Sequence, residues 1–141
     1  MKRRAFLKKC GYSAVCLGAS STILTACKST TTRQISAKKN TQNELLISKA
    51  EFTSTDYVLL QHPTENYPIC LYRISETDYL ASLMKCTHQK CTTEVLDEAY
   101  ICPCHGAKFA LNGELLKGPA ERNLQTYKTR VDADNIYVLV I

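Results

Sequence analysis

Six thiols and imidazoles crowd into two short segments of this 141-residue chain, and few folds can accommodate them. The segments are Cys86-Thr87-His88-Gln89-Lys90-Cys91 and Cys102-Pro103-Cys104-His105-Gly106. Between them they hold four of the eight cysteines and two of the three histidines. The other sulfur positions are scattered. Cys10, Cys16 and Cys27 precede the part of the chain that can fold, and Cys70 stands alone in a predicted strand, where it reads as a small buried apolar residue. His62, beside Pro63 in a predicted turn, reads as a surface histidine.

Three chemistries compete for the six groups. One tetrahedral zinc takes four of them and leaves two over. A disulfide framework uses the four cysteines and leaves both histidines without a role. A 2Fe-2S cluster with two cysteines on one iron and two histidines on the other also takes four, and the remaining two cysteines are then free to pair. Only this last reading employs all six, with a zinc-binding structural module as the competitor from another class.

Around these segments the chain from Leu45 to Ile141 is rich in short β-type runs. Tyr57 to His62, Tyr67 to Ile74 and Asp78 to Lys85 are separated by turn formers. Asn112-Gly113 predicts a hairpin between Lys108–Leu111 and Glu114–Lys117. Leu124 to Val131 and Ile136 to Ile141 flank a second turn, Asp132-Ala133-Asp134-Asn135. No segment here keeps a helical period for three turns. The expected class is all-β: a small antiparallel sandwich or barrel with a cluster-binding subdomain formed by two loops. So small a domain has a thin core and usually relies on a staple or a metal.

The pattern C-x-H followed by C-x-x-H, with two further cysteines in the same loops, resembles the Rieske iron–sulfur proteins. The similarity runs from about Pro68 to Ile141. It implies that Cys86 and Cys102 hold one iron as thiolates. It also implies that His88 and His105 bind the other through ring nitrogens, with their outer edges facing solvent. Cys91 and Cys104 match the pair that forms a disulfide between the loops in the cytochrome bc-type and related exported members. Gly118-Pro119-Ala120 resembles a proline-containing loop that covers the cluster from a third side. The function implied is one-electron transfer, with a proton site on the exposed imidazoles. Such a protein has no substrate site of its own, and works alone or as a subunit of an oxidoreductase complex.

The N-terminus points to export. Met1 to Lys9 is cationic, Cys10 to Ala26 is uncharged, and the uncharged run is too short and too rich in Gly, Ser and Thr for a strong membrane span. Arg3-Arg4-Ala5-Phe6-Leu7-Lys8 resembles a twin-arginine export motif, and Leu24-Thr25-Ala26-Cys27 a bacterial lipobox with Cys27 as the lipidated residue. Residues 1–26 are therefore read as an export signal, 28–43 as a flexible tether spanning roughly 20–25 Å on average, and 44–141 as the Rieske 2Fe-2S domain. The expected location is a lipid-anchored position facing the periplasm or the exterior of a bacterial cell. Of 18 basic residues, Lys2, Arg3, Arg4, Lys8 and Lys9 account for the whole formal charge of +5, and the remainder balances 13 acids. The charge belongs to the leader, so a nucleic-acid partner is not indicated.

Some positions depart from the quinol-oxidising relatives that the chain resembles. Those usually carry a serine after Cys-Pro-Cys-His-Gly and a tyrosine two residues on, whose hydroxyls donate hydrogen bonds to sulfur and stabilise the reduced state. Here Ala107 and Phe109 occupy the places and cannot donate, which predicts a potential well below the top of the Rieske range. Gln89-Lys90 stands where those relatives usually have Leu-Gly, a poorer apolar contact for a quinone site. The expected partner is a cytochrome, a quinol-linked complex or a molybdoenzyme. The named alternatives are the Rieske subunit of a quinol–cytochrome c oxidoreductase and the small subunit of an arsenite-oxidase-like enzyme.

Overall fold

A computed structural model describes residues 34–141. The export signal, the lipobox at Cys27 and the start of the tether lie outside the described residues. Short strands β1 (Gln34–Ile35) and β2 (Lys38–Lys39) come first, followed by β3 (Glu44–Ser48). One turn of 3-10 helix, Lys49–Phe52, precedes β4 (Tyr57–Leu60), β5 (Ile69–Arg73) and β6 (Tyr79–Leu83). Next are β7 (Glu94–Leu96), β8 (Ala99–Ile101), β9 (Lys108–Ala110) and β10 (Leu115–Lys117), and the chain closes with β11 (Thr126–Tyr127), β12 (Thr129–Val131) and β13 (Asn135–Leu139). The described residues contain no α-helix, as the lack of helical period requires.

Two sheets form the base, in the orders β1-β4-β5-β6-β11 and β12-β13-β3-β2. Their facing sides alternate as a period of two demands: Val58 and Leu60 on β4, Leu45 and Ile47 on β3, and Ile136 and Val138 on β13 are all buried in one core. Phe52 closes that core edge-on against Tyr79, with ring centroids 5.3 Å apart. Strand β5 is buried on both faces. Ile69 and Leu71 point into the base core, while Cys70 points out into a second cluster with Met84, Tyr100, Cys102 and Phe109. The third sheet, β10-β9-β8-β7, belongs to this second cluster, so the predicted subdomain packs on the outer face of β5. Cys70 has the buried place expected of it.

The Asn112-Gly113 hairpin joins β9 to β10 as predicted. Gly113 has φ +86°, and a Cβ there would stand 2.7 Å from the Thr126 methyl, so the position requires glycine.

Two segments differ from expectation. The tether does not run to residue 43, because β1 pairs in parallel with β4 and β2 antiparallel with β3. An edge strand asks only for backbone hydrogen bonds and a few apolar contacts, and Ile35 and Ala37 supply the contacts to the base core. Asn40 fastens the turn that follows, its side-chain oxygen accepting from the Gln42 and Glu44 amides at 2.9 Å each. The other difference is Leu124 to Val131, which is not one strand. β11 pairs with β6, and β12 leaves to pair with β13 in the opposite sheet. Alternation along a run cannot reveal which sheet each half will join.

Candidate metal centre at the tip of two matched loops

Each of the two cysteine- and histidine-bearing segments closes on itself in the same way. In the first loop the Cys86 amide donates to the Cys91 carbonyl at 2.8 Å and the Lys90 amide to the Cys86 carbonyl at 2.9 Å. In the second the Cys102 amide donates to the Ala107 carbonyl at 2.8 Å and the Gly106 amide to the Cys102 carbonyl at 2.9 Å. Both loops turn through a left-handed residue four places after their first cysteine: Lys90 at φ +59° and Gly106 at φ +73°. The backbones are therefore matched even though the histidines sit at different offsets.

These closures place the six predicted residues in two layers. Cys86 and Cys102 are buried at 1% and 2% exposure. His88 and His105 are exposed, their rings edge-to-face with centroids 5.1 Å apart. Cys91 and Cys104 form a disulfide that ties the loops together. The Cys102 sulfur lies within 4.8 Å of both disulfide sulfurs, but that trio is no metal site, since two of its members are spent on each other.

Burial raises the pKa of the Cys86 thiol, and the neighbouring Cys102 thiol adds to the rise. The backbone amides of His88 and Gln89 point at the same sulfur and pull the other way, which is the arrangement a thiolate wants. A third segment joins the site where the Thr87 hydroxyl donates to the Arg122 carbonyl at 2.6 Å. That bond holds the chain just after Gly118-Pro119-Ala120 against the first loop, with Ala120 buried in the same cluster as Cys86. Ala107 and Phe109 are fully buried there as well.

The residues present fit a 2Fe-2S cluster. Two thiols lie side by side in a dry layer, and two imidazoles stand together in a wet one. The four could supply two anionic sulfurs to one iron and two neutral nitrogens to the other.

Two features were not legible beforehand. His62 is not a surface residue: it is 9% exposed, and its Nδ1 accepts from the Thr64 and Glu65 amides at 3.2 and 2.9 Å. The turn's amides need an acceptor and the imidazole is within reach, while burial lowers its pKa. Tyr100 is fully buried, its hydroxyl beside the Cys70 thiol and the Ser82 hydroxyl but in good hydrogen-bond geometry with neither. No local pattern marked it, because β8 is only three residues long.

Comparison with known proteins agrees with this geometry. The Rieske 2Fe-2S domain family matches residues 42–128. A cytochrome b6-f complex iron-sulfur subunit of Chlorobaculum thiosulfatiphilum is 44% identical over 55 residues, covering 38% of this chain and 30% of that protein. The cytochrome b-c1 complex subunit Rieske of Saccharomyces cerevisiae is 31% identical over 93 residues, covering 62% of this chain and 40% of that one. The chain thus spans only 30–40% of the length of these two relatives. Among solved structures, the cyanobacterial plasma membrane Rieske protein of Synechocystis PCC 6803 aligns with a TM-score of 0.57 and 33% identity, over 64% of this chain and 93% of that one. Its matched loops, its layered thiols and imidazoles and these similarities together make this chain a member of the Rieske family, whose domain holds a 2Fe-2S cluster.

Proposed function

We propose that this protein is a one-electron carrier, with Cys86 and Cys102 ligating the inner iron and His88 and His105 the outer. The observation that carries the reading is the two-layer arrangement: thiols at 1% and 2% exposure beneath two exposed imidazoles. When bound, a 2Fe-2S cluster takes up and gives back a single electron. The buried thiols keep water from the sulfur side. His88 and His105 offer their edges to a redox partner, and the disulfide and the Thr87 bond keep the loops from spreading.

The export reading rests on Arg3-Arg4 and on Leu24 to Cys27. It gives a lipid-anchored protein on the outer side of the cytoplasmic membrane or in the periplasm, joined to its domain through residues 28–33. Relatives named as subunits of cytochrome b6-f and b-c1 complexes support a redox complex as partner. The exposed Gln89-Lys90 pair and the absence of two hydroxyl donors favour a cytochrome or a low-potential enzyme over a membrane quinol.

A redox titration of the purified protein, followed by electron paramagnetic resonance, tests this. A Rieske-type signal is expected at a potential well below that of the quinol-oxidising members. Phe109→Tyr restores one donor, worth roughly 1–2 kcal/mol in favour of the reduced form, and is expected to raise the potential by about 40–90 mV. A colourless protein that retains zinc after anaerobic preparation overturns the reading.

A further inference from the structure

A cavity of about 250 Å³ opens beside His88, on the flank of the first loop. Cationic side chains from two segments line it: Lys85 and Lys90 from the first loop and its approach, and Arg122 from the segment after Gly118-Pro119-Ala120. No residue of the second loop contributes, so the cavity is not the space between the loops. Lys85 is neutralised by Glu65, with Nζ 2.7 Å from the carboxylate. Lys90 and Arg122 enter no ion pair among the described residues, although the charge of Lys90 also reaches Glu65. Glu121 adjoins Arg122 in the chain but does not line the cavity, nor do Glu94, Asp97 or Glu98. The balance at this spot is positive, although the residues from 34 onward carry 11 basic against 13 acidic side chains.

Lys90 also sits where its backbone does not favour it. Its matched position in the second loop is Gly106, and both are left-handed, at φ +59° and +73°. Glycine adopts that conformation freely, whereas an L side chain crowds its own carbonyl. Asn43, Asp97 and Glu98 are left-handed too, but of these four only Lys90 lines the cavity. Here the side chain is a cation beside an exposed imidazole.

We propose that this cationic flank is the docking surface for an acidic redox protein, whose carboxylates seat against Lys90 and Arg122 and bring its redox centre up to His88. The proposal rests on the electron-transfer reading above. Charges focused in a concave site raise the association rate of an oppositely charged partner and do so less as salt screens them.

The test uses the reduced full chain, its cluster verified by paramagnetic resonance before mixing. Stopped-flow oxidation is measured with native ferric cytochrome c, which is basic, and with its succinylated form, which is acidic but keeps the same haem fold. At about 10 mM ionic strength the succinylated form is expected to react faster by on the order of tenfold. The advantage should shrink once the Debye length falls to about 8 Å near 0.15 M. Lys90→Glu combined with Arg122→Glu should abolish or invert the preference, while Lys38→Glu with Lys39→Glu, an equal change of net charge on the edge of the base, should lower it far less. Lys90→Gly should lower the preference while maintaining or raising thermal stability, which a merely structural lysine would not do. Equal rates, a preference for the native form, or an unchanged ratio after charge reversal overturns the docking surface. So does rate inhibition by inorganic phosphate at constant ionic strength without any cytochrome preference, which would make the cavity a small-anion site. A protein with no Rieske signal at the outset fails the electron-transfer reading itself, a distinguishable result.

Discussion

The base of the domain encloses Leu45, Ile47, Val58, Leu60, Ile69, Leu71, Ile136 and Val138, aliphatic side chains delivered by alternation from two facing sheets. The tip buries Cys70, Met84, Cys86, Tyr100, Cys102, Ala107 and Phe109 instead, and its strands are mostly three residues long. The base is held by many interchangeable contacts, each a share of a continuous apolar layer. The tip is held by a few specific ones: one disulfide, four loop-closing backbone bonds and the Thr87 bond to Arg122. A region built the first way tolerates a lost contact by degrees, and one built the second way loses its geometry when one link goes. That division suits a protein whose tip must hold a metal centre in one arrangement on a support that does not depend on it.

Substitutions in the two regions should separate these regimes. The largest effect is expected from Cys102→Ser, which removes a sulfur from the buried layer. Colour and the paramagnetic signal should vanish, while far-ultraviolet circular dichroism of the base strands persists. If the base unfolds as well, the two regions are one cooperative unit and the comparison fails. Next, Leu60→Ala opens a cavity in the base, at a cost of about 2–5 kcal/mol in chemical denaturation. It should leave the shape of the resonance signal unaltered. Cys91→Ser breaks a crosslink across 13 residues and should cost about 2–4 kcal/mol. Unlike Leu60→Ala it should also broaden or shift the signal, because the two loops are no longer tied. An unchanged spectrum would show that the backbone closures suffice.

The smallest effect concerns a polar clamp on the base. Glu44 accepts from Arg130 at 2.7 and 2.6 Å and from Asn40 at 2.8 Å, and these partners, Arg130 first, hold its pKa down to about 2 from an ordinary 4.5. A carboxyl depressed in the folded state adds stability above its unfolded value and gives it up as pH falls towards the folded one. Thermal stability of the wild type should therefore drop between about pH 4.5 and 2. Glu44→Gln should start lower at neutral pH and lose less over that window. Parallel acid limbs in the two proteins would show that the clamp contributes nothing. Arg130 stacks over Tyr137, its guanidinium carbon 3.6 Å from the ring centroid, and the Tyr137 hydroxyl donates to Asp132 at 2.7 Å. The same substitution thus tests how far this surface network stands on Glu44.

The tip was the more legible region, even though it is the less regular one. Ligand chemistry is written in residue types and spacings, so Cys86, His88, Cys102 and His105 could be singled out without knowing any strand. The base was legible in class but not in connection. Runs such as Tyr57 to His62 announced strands, yet nothing local said that Leu124 to Val131 would divide between two sheets, or that polar Lys38 and Lys39 would pair with β3. His62 was misread for the same reason, since its burial depends on the Glu65 turn and on Tyr127, whose ring lies 5.9 Å away across the fold.

By itself the sequence singled out the clustered thiols and imidazoles, the all-β class and the hairpin at Asn112-Gly113, because each depends on residue identity and short-range backbone preference. Only the tertiary structure decided that the two ligand loops share one backbone closure and that Lys90 takes the place glycine holds in the second loop. It also brought Arg122 and Lys85 to the same flank of His88. Those relations join residues that are distant in the chain, and folding alone brings them within reach of one another.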